Sequence, residues 1–211
     1  MRMIWRPLSL MLGLATLAAV WLGPLPAMAD QLFVCHMVMH VMVVAVAAPL
    51  LAIGIAGGRM DVSSRIPVLF SPILASVVEL FVVWAWHVPA LHHTARTSLA
   101  AQVLEQASYL VVGLLVWLAA FGSVRHQRPL AGIAGLLLTS MHMTLLGVLL
   151  AMSGKVLFEH TGSALAGLSP LEDQQMGGVI MLIFGGTAYL LGGLCLLAGL
   201  LRDKSETVTA G

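Results

Sequence analysis

Five unbroken apolar stretches leave this chain one solvent to fold in. They run from Phe33 to Ile55, Val68 to Leu91, Ser98 to Phe121, Leu130 to Ser153 and Met176 to Leu201. About twenty residues is the length a helix needs to cross a hydrocarbon core of roughly 30 Å. That core holds no water to satisfy backbone N–H and C=O groups, so a spanning segment is a helix or a strand of a closed barrel. Continuous apolar runs, rather than the alternation of barrel strands, select the helix. Composition agrees: 60% of residues are hydrophobic and 9% charged, against roughly 45–50% and about 25% in soluble globular chains. The predicted fold is all-α, a polytopic transmembrane helix bundle with five core spans.

The N-terminal segment allows two readings. Pro7 to Leu25 is a sixth apolar stretch, preceded by Arg2 and Arg6 and followed by Ala27-Met28-Ala29 and Asp30. Residues 1–29 have the layout of a secretory signal with its small-residue cleavage site; the alternative is an uncleaved sixth helix. Residues 30–201 are expected to form one bundle domain, since no repeat or low-complexity tract divides them, with 202–211 as a cytoplasmic tail. With the N-terminus inside, Arg2, Arg6, Arg59, Arg65, Arg125, Arg128, Arg202 and Lys204 fall on the cytoplasmic side, leaving Arg96 and Lys155 outside. This positive-inside distribution sets the expected orientation, with the N-terminus inside and the loops carrying Arg96 and Lys155 outside. Asp30, Glu159, Glu172 and Asp173 gather on the outer side. A net charge of +1 without a basic cluster offers nucleic acid nothing to bind.

Cys35-His36-Met37-Val38-Met39-His40 loads metal ligands onto the outer turns of the first core span. His36 and His40, four apart, share a helix face, with Met39 beside them. Thioether and thiolate select copper(I), and imidazole accepts several transition metals, so copper(I) is the expected ion. At 1.5 Å per residue His40 lies about 10 Å below the outer end of its span, Glu105 about 10 Å, His87 and Gln102 about 6 Å, and His142 about 16 Å. Polar side chains at such depth cost a few kcal/mol each on insertion and face the bundle interior. Residues from four helices thus share one outer layer.

Other candidates are weaker. Thirteen methionines are mostly core filler; Met39 near His36, and Met141 and Met143 flanking His142, are the candidate ligands among them. Cys35 is a soft ligand, an intermolecular partner or a small buried thiol. Cys195 lies about 28 Å deeper, too far for a bridge between the two. His92 and His93 are expected in a solvated outer loop, and His126 and His160 on the surface. Glu79 falls near the bilayer centre, suited to relaying protons or stabilising a cation, with no cationic partner evident. The pairs Gly177-Gly178, Gly185-Gly186 and Gly192-Gly193 read as a stripe for close helix approach.

Three motifs carry a family resemblance: His36-Met37-Val38-Met39-His40 with Ala48-Pro49-Leu50-Leu51, then Trp84-Ala85-Trp86-His87-Val88-Pro89-Ala90-Leu91, and Asp173-Gln174-Gln175-Met176-Gly177-Gly178-Val179-Ile180-Met181. Together they cover most of residues 33–181, and the chain resembles the membrane-embedded CtaG family of cytochrome c oxidase assembly factors, as distinct from the single-span copper protein sharing that name. The resemblance implies a non-enzymatic role in maturing a haem-copper oxidase, with an oxidase subunit and a periplasmic copper donor as partners. Position by position it points to His36, Met37, His40, His87 and Asp173. The family pattern of histidine, two residues, glutamate and histidine in the third core span is replaced by Gln102, Val103, Leu104, Glu105 and Gln106. Glutamine is a poor copper(I) ligand, which shifts the weight to His36 and His40, with Met39, His87 and His142 completing or relaying. Two other readings stand beside copper delivery: a b-type cytochrome with His40, His87 and His142 as axial ligands, and a metal-free scaffold docking oxidase subunits. No nucleophile-base spacing suggests an enzyme.

Overall fold

The computed structural model describes residues 2–122, 129–158 and 167–209, and within them the chain is helical with no strand. His126, His160, Arg125, Arg128 and Glu159 lie outside the described residues. The helices are α1 (Arg2–Leu22), α2 (Leu25–Ala29), α3 (Phe33–Val41), α4 (Ala48–Ile55), α5 (Pro72–Trp86), α6 (Pro89–Thr97), α7 (Leu99–Phe121), α8 (Pro129–Ala151), α9 (Pro170–Ile180) and α10 (Gly186–Thr209). Five helical runs are long and apolar enough to cross a membrane: Trp5–Leu22, Phe33–Ile55, Leu99–Phe121, Pro129–Ala151 and Pro170–Arg202. The bent pair α5 and α6 meets the same length and composition only when its two helices are taken together, as a broken span or a re-entrant loop. The predicted span from Val68 to Leu91 is corrected here. The helix stops at Trp86, Val88 takes extended backbone, and the axis turns by 71° into α6. Pro89 is the cause, since its ring disfavours helical backbone at the residue before it while suiting the first turn of a new helix.

A π-helical segment, Met42–Ala47, joins α3 to α4. Its origin is legible in the chain. Pro49 has no N–H, and its ring crowds the carbonyl four residues back. The helix widens, and the Ala48 amide bonds Val43 O. The next such bond would run from residue 49 to Val44 O, but proline has no hydrogen to give. Val44 O instead accepts from Trp117 Nε1 of α7 at 2.9 Å and lies 3.4 Å from Tyr189 Oη of α10. A second π-helical segment, Met181–Gly185, joins α9 to α10.

Glycine sets the closest approaches, as the paired spacing predicted. A Cβ on Gly177 of α9 would sit 2.6 Å from Phe33 Cδ1, and one on Gly192 of α10 would sit 2.7 Å from Trp117 Cζ3. The N-terminal helix also packs closely: a Cβ on Gly54 would sit 2.9 Å from Leu10 Cβ, and Arg6 Nη2 donates to Ile55 O at 3.2 Å. At the opposite end of the bundle, α9 begins with a capping box between Ser169 and Glu172. Asp173 there reaches across to the start of α3, accepting from Phe33 N at 2.8 Å and Val34 N at 2.9 Å. Leu32 precedes α3 without a capping side chain, so Asp173 of α9 supplies the oxygens that the first N–H groups of α3 require.

Candidate metal centre

His36 and His40, one turn apart on α3, are both fully buried. They face side chains from three other elements. His92 of α6 presents its ring edge-on to His36, with centroids 4.7 Å apart. His87, at the end of α5, lies 5.5 Å from His40 and 6.1 Å from His36 by the same measure. From α7, Glu105 places Oε1 3.9 Å from His36 Nε2, and Tyr109 meets the His40 ring at 4.2 Å. One ligand atom each from His36, His92 and Glu105 lie within 4.8 Å of one another, all three residues buried. His92 reaches this point because the 71° bend after α5 lays α6 back against α7, which carries Glu105.

The hydrogen bonding of the group is incomplete. Both ring nitrogens of His36 and of His40, the Nε2 of His87 and the Oε1 of Glu105 are buried with no hydrogen-bond partner among the described residues. His87 Nδ1 lies 2.7 Å from Val83 O. A carbonyl only accepts, so Nδ1 carries the hydrogen and Nε2 keeps its lone pair, the arrangement typical of a metal-ligating imidazole. The other oxygen of Glu105, Oε2, is paired with Arg96 and lies 3.4 Å from Gln106 Nε2. Arg96 also pairs with Asp30 at 3.4 Å. One carboxylate oxygen is therefore anchored while the other faces the imidazoles.

The structure redistributes several residues singled out from the sequence. His92 was expected in a solvated loop but is buried at 3% exposure, while its neighbour His93 is exposed; the bend at Pro89 was the missed step. Arg96, read from the sequence only as an outer-side charge, pairs with Glu105 and Asp30. Met141 is 69% exposed, directed away from the bundle interior where a ligand must point. Met37 packs against Gly177 of α9, and Met143 is buried near Gly185. Met39 lines a separate cavity of about 340 Å³ with Trp21, Pro26, Leu99, Gln102, Val103, Gln106 and Ala107. At 100° per residue, Met37 and Met39 project to either side of the face shared by His36 and His40. Asp173 has both oxygens engaged by the α3 amides, so its place is in holding α3 and not in ligation. His142 is buried, but no ring contact or ion pair joins it to the other histidines among the described residues.

Gln102 and Gln106 line the cavity, with Gln102 Nε2 donating to Asp30 at 3.3 Å and Trp21 Nε1 donating to Gln106 Oε1 at 3.3 Å. Cys35 and Cys195 are both free.

Residues 2–203 match the family described as cytochrome c oxidase caa3 assembly factor. No curated protein and no solved structure matches the chain.

Proposed function

The chain belongs to the cytochrome c oxidase caa3 assembly factor family, and from that premise we propose that it carries copper(I) as cargo for a haem-copper oxidase at the group formed by His36, His40, His87, His92 and Glu105. One observation supports this reading above the rest. Five imidazole nitrogens and one carboxylate oxygen are buried together without hydrogen-bond partners among the described residues. An unsatisfied buried polar group costs about 1–3 kcal/mol, and one cation among them would relieve several of these at once.

The donor set suits transit. Imidazole binds copper readily, and the sulfur donors that would trap copper(I) lie elsewhere in the fold. Glu105 brings a charge balanced by Arg96, so an arriving cation meets a carboxylate already held in position. The distribution of positive charges supports a group that faces the periplasm, where a copper donor and the oxidase's own copper sites would meet it. A haem held by His40, His87 and His142 gains no support, because His142 stands apart from the others.

Copper(I) uptake by the reduced, purified chain in lipid nanodiscs is the test. The wild type should bind, the double variant His36→Ala with His40→Ala should not, and His142→Ala should bind like the wild type. Absence of uptake by the wild type, or uptake indifferent to the double variant, rules the reading out.

A further inference from the structure

Two turns inward from His87, α5 carries a carboxyl that the cargo group does not use. Glu79 is fully buried and, at 1.5 Å per residue, lies about 12 Å below His87. No arginine, lysine or histidine forms an ion pair with it among the described residues. Its Oε1 lies 2.5 Å from Tyr189 Oη of α10, and its Oε2 is buried with no hydrogen-bond partner among the described residues. The neighbouring hydroxyl of Thr139 gives its hydrogen to Ser76 Oγ at 2.8 Å.

Tyr189 stands between two acceptors. Besides Glu79, its Oη lies 3.4 Å from Val44 O, the carbonyl that Pro49 leaves without a backbone donor. A phenol has one hydrogen to give and lone pairs with which to accept. When it donates to Val44 O, its contact with Glu79 is a hydrogen bond only if the carboxyl carries a proton and donates. When it donates to Glu79 Oε1, the carboxylate is served without any proton of its own. We propose that Glu79 is a proton-binding site within the membrane, and that rotation of the Tyr189 hydroxyl between Val44 and Glu79 matches the site to its two states.

The step balances simply. In the loaded state the acid O–H of Glu79 donates to Tyr189 Oη, and the Tyr189 O–H donates to Val44 O. On release the O–H bond of the acid breaks, its electron pair stays on the carboxylate, and the proton passes to water. The phenolic hydrogen then turns to Oε1. Heavy atoms need not move, because Tyr189 is stacked on Trp117 with centroids 4.9 Å apart and planes 15° from parallel. Trp117 is itself held by its bond to Val44 O. The other titratable groups on elements packed against α5 are engaged elsewhere or stand apart. Glu105 of α7, and His92 and Arg96 of α6, belong to the cargo group, His93 of α6 is exposed at the surface, and Tyr109 of α7 and His142 of α8 make no hydrogen bond or ion pair with Glu79.

Infrared difference spectroscopy of the full chain in lipid nanodiscs, titrated with pH, tests the proposal without reference to copper. The wild type should show a carboxylic acid C=O band that disappears as pH rises. That band should be missing from Glu79→Gln and shifted in frequency in Tyr189→Phe, which keeps the ring but loses the hydroxyl. Dicyclohexylcarbodiimide, which adds to protonated carboxyls in apolar surroundings, supplies a readout that needs no variant to fold. Peptide mass analysis should find it on Glu79 at low pH and not at high pH. A band that does not change with pH, or labelling that is absent or pH-independent, would overturn the proposal. Copper uptake does not enter the measurement, so its outcome is separate from that of the cargo reading.

Discussion

Asp173 of α9 caps a helix to which it does not belong: its two carboxylate oxygens accept from the amides of Phe33 and Val34, at 2.8 and 2.9 Å, at the start of α3. His36 follows Phe33 by less than one turn. The carboxylate therefore holds the end of the bundle at which His36, His40, His87, His92 and Glu105 gather.

Asp173→Ala should lower stability by about 2 kcal/mol, the size of a lost helix cap with charged acceptors. Asp173→Asn, which keeps one acceptor oxygen, should lose roughly half as much. Thermal unfolding in detergent reads the difference. An unchanged midpoint in the alanine variant would show that the α3 amides find another partner and that the cap is dispensable.

Glu105→Gln should act twice, on copper and on the fold. Arg96, whose side chain is only 9% exposed, would face an uncharged amide and keep only the half-exposed Asp30 as partner, so the loss should fall below the roughly 3–5 kcal/mol of a buried charge left wholly unpaired. Adding Arg96→Gln should recover most of that stability without restoring copper(I) uptake. If the double variant binds copper like the wild type, Glu105 is only a counterion for Arg96.

His92→Ala and Met141→Ala separate the bent helix from the sequence pattern. Loss of the imidazole should weaken copper(I) binding at least tenfold, about 1.4 kcal/mol. Loss of the lipid-facing thioether should leave affinity unchanged. A competition titration with a copper(I) chelator measures both, and the opposite ranking would return the methionines beside His142 to the ligand set.

Gly54→Leu should loosen α1, because the larger side chain would collide with Leu10 and with the Arg6 carbonyl, 3.1 Å from the position of a Cβ. Overpacking of this kind costs about 1–3 kcal/mol. The variant tests whether residues 1–29 remain as a packed helix or are removed as a signal. A purified protein whose first residue is Asp30 would decide for removal.

Much of this architecture is legible in the chain, because lipid enforces continuous apolar helices and pushes polar side chains inward. His36, His40 and His87 emerge from spacing and depth alone, and Glu105 from depth. Two things were hidden. The direction taken by α6 depends on Pro89, whose effect on backbone is local but whose consequence is a 71° change of axis; it brings His92 and Arg96 to Glu105. The methionines mislead for a rotational reason, since neighbours in sequence on a helix are 100° apart in direction. Met37 and Met39 adjoin the histidines in the chain but serve α9 packing and a cavity wall. A signal for the mid-membrane contact was present in Pro49, whose missing amide leaves one carbonyl of the preceding turn unserved.

That missing amide also makes an inward influence of Pro49 mechanical rather than chemical. The proline does not bond Trp117 or Tyr189, yet both turn toward the carbonyl it leaves open. Three helices distant in sequence are thereby pinned to one another by an atom the chain lacks. A residue with an amide hydrogen at position 49 would let α3 and α4 close into an ordinary helix, and the first sign would be slack between α7 and α10.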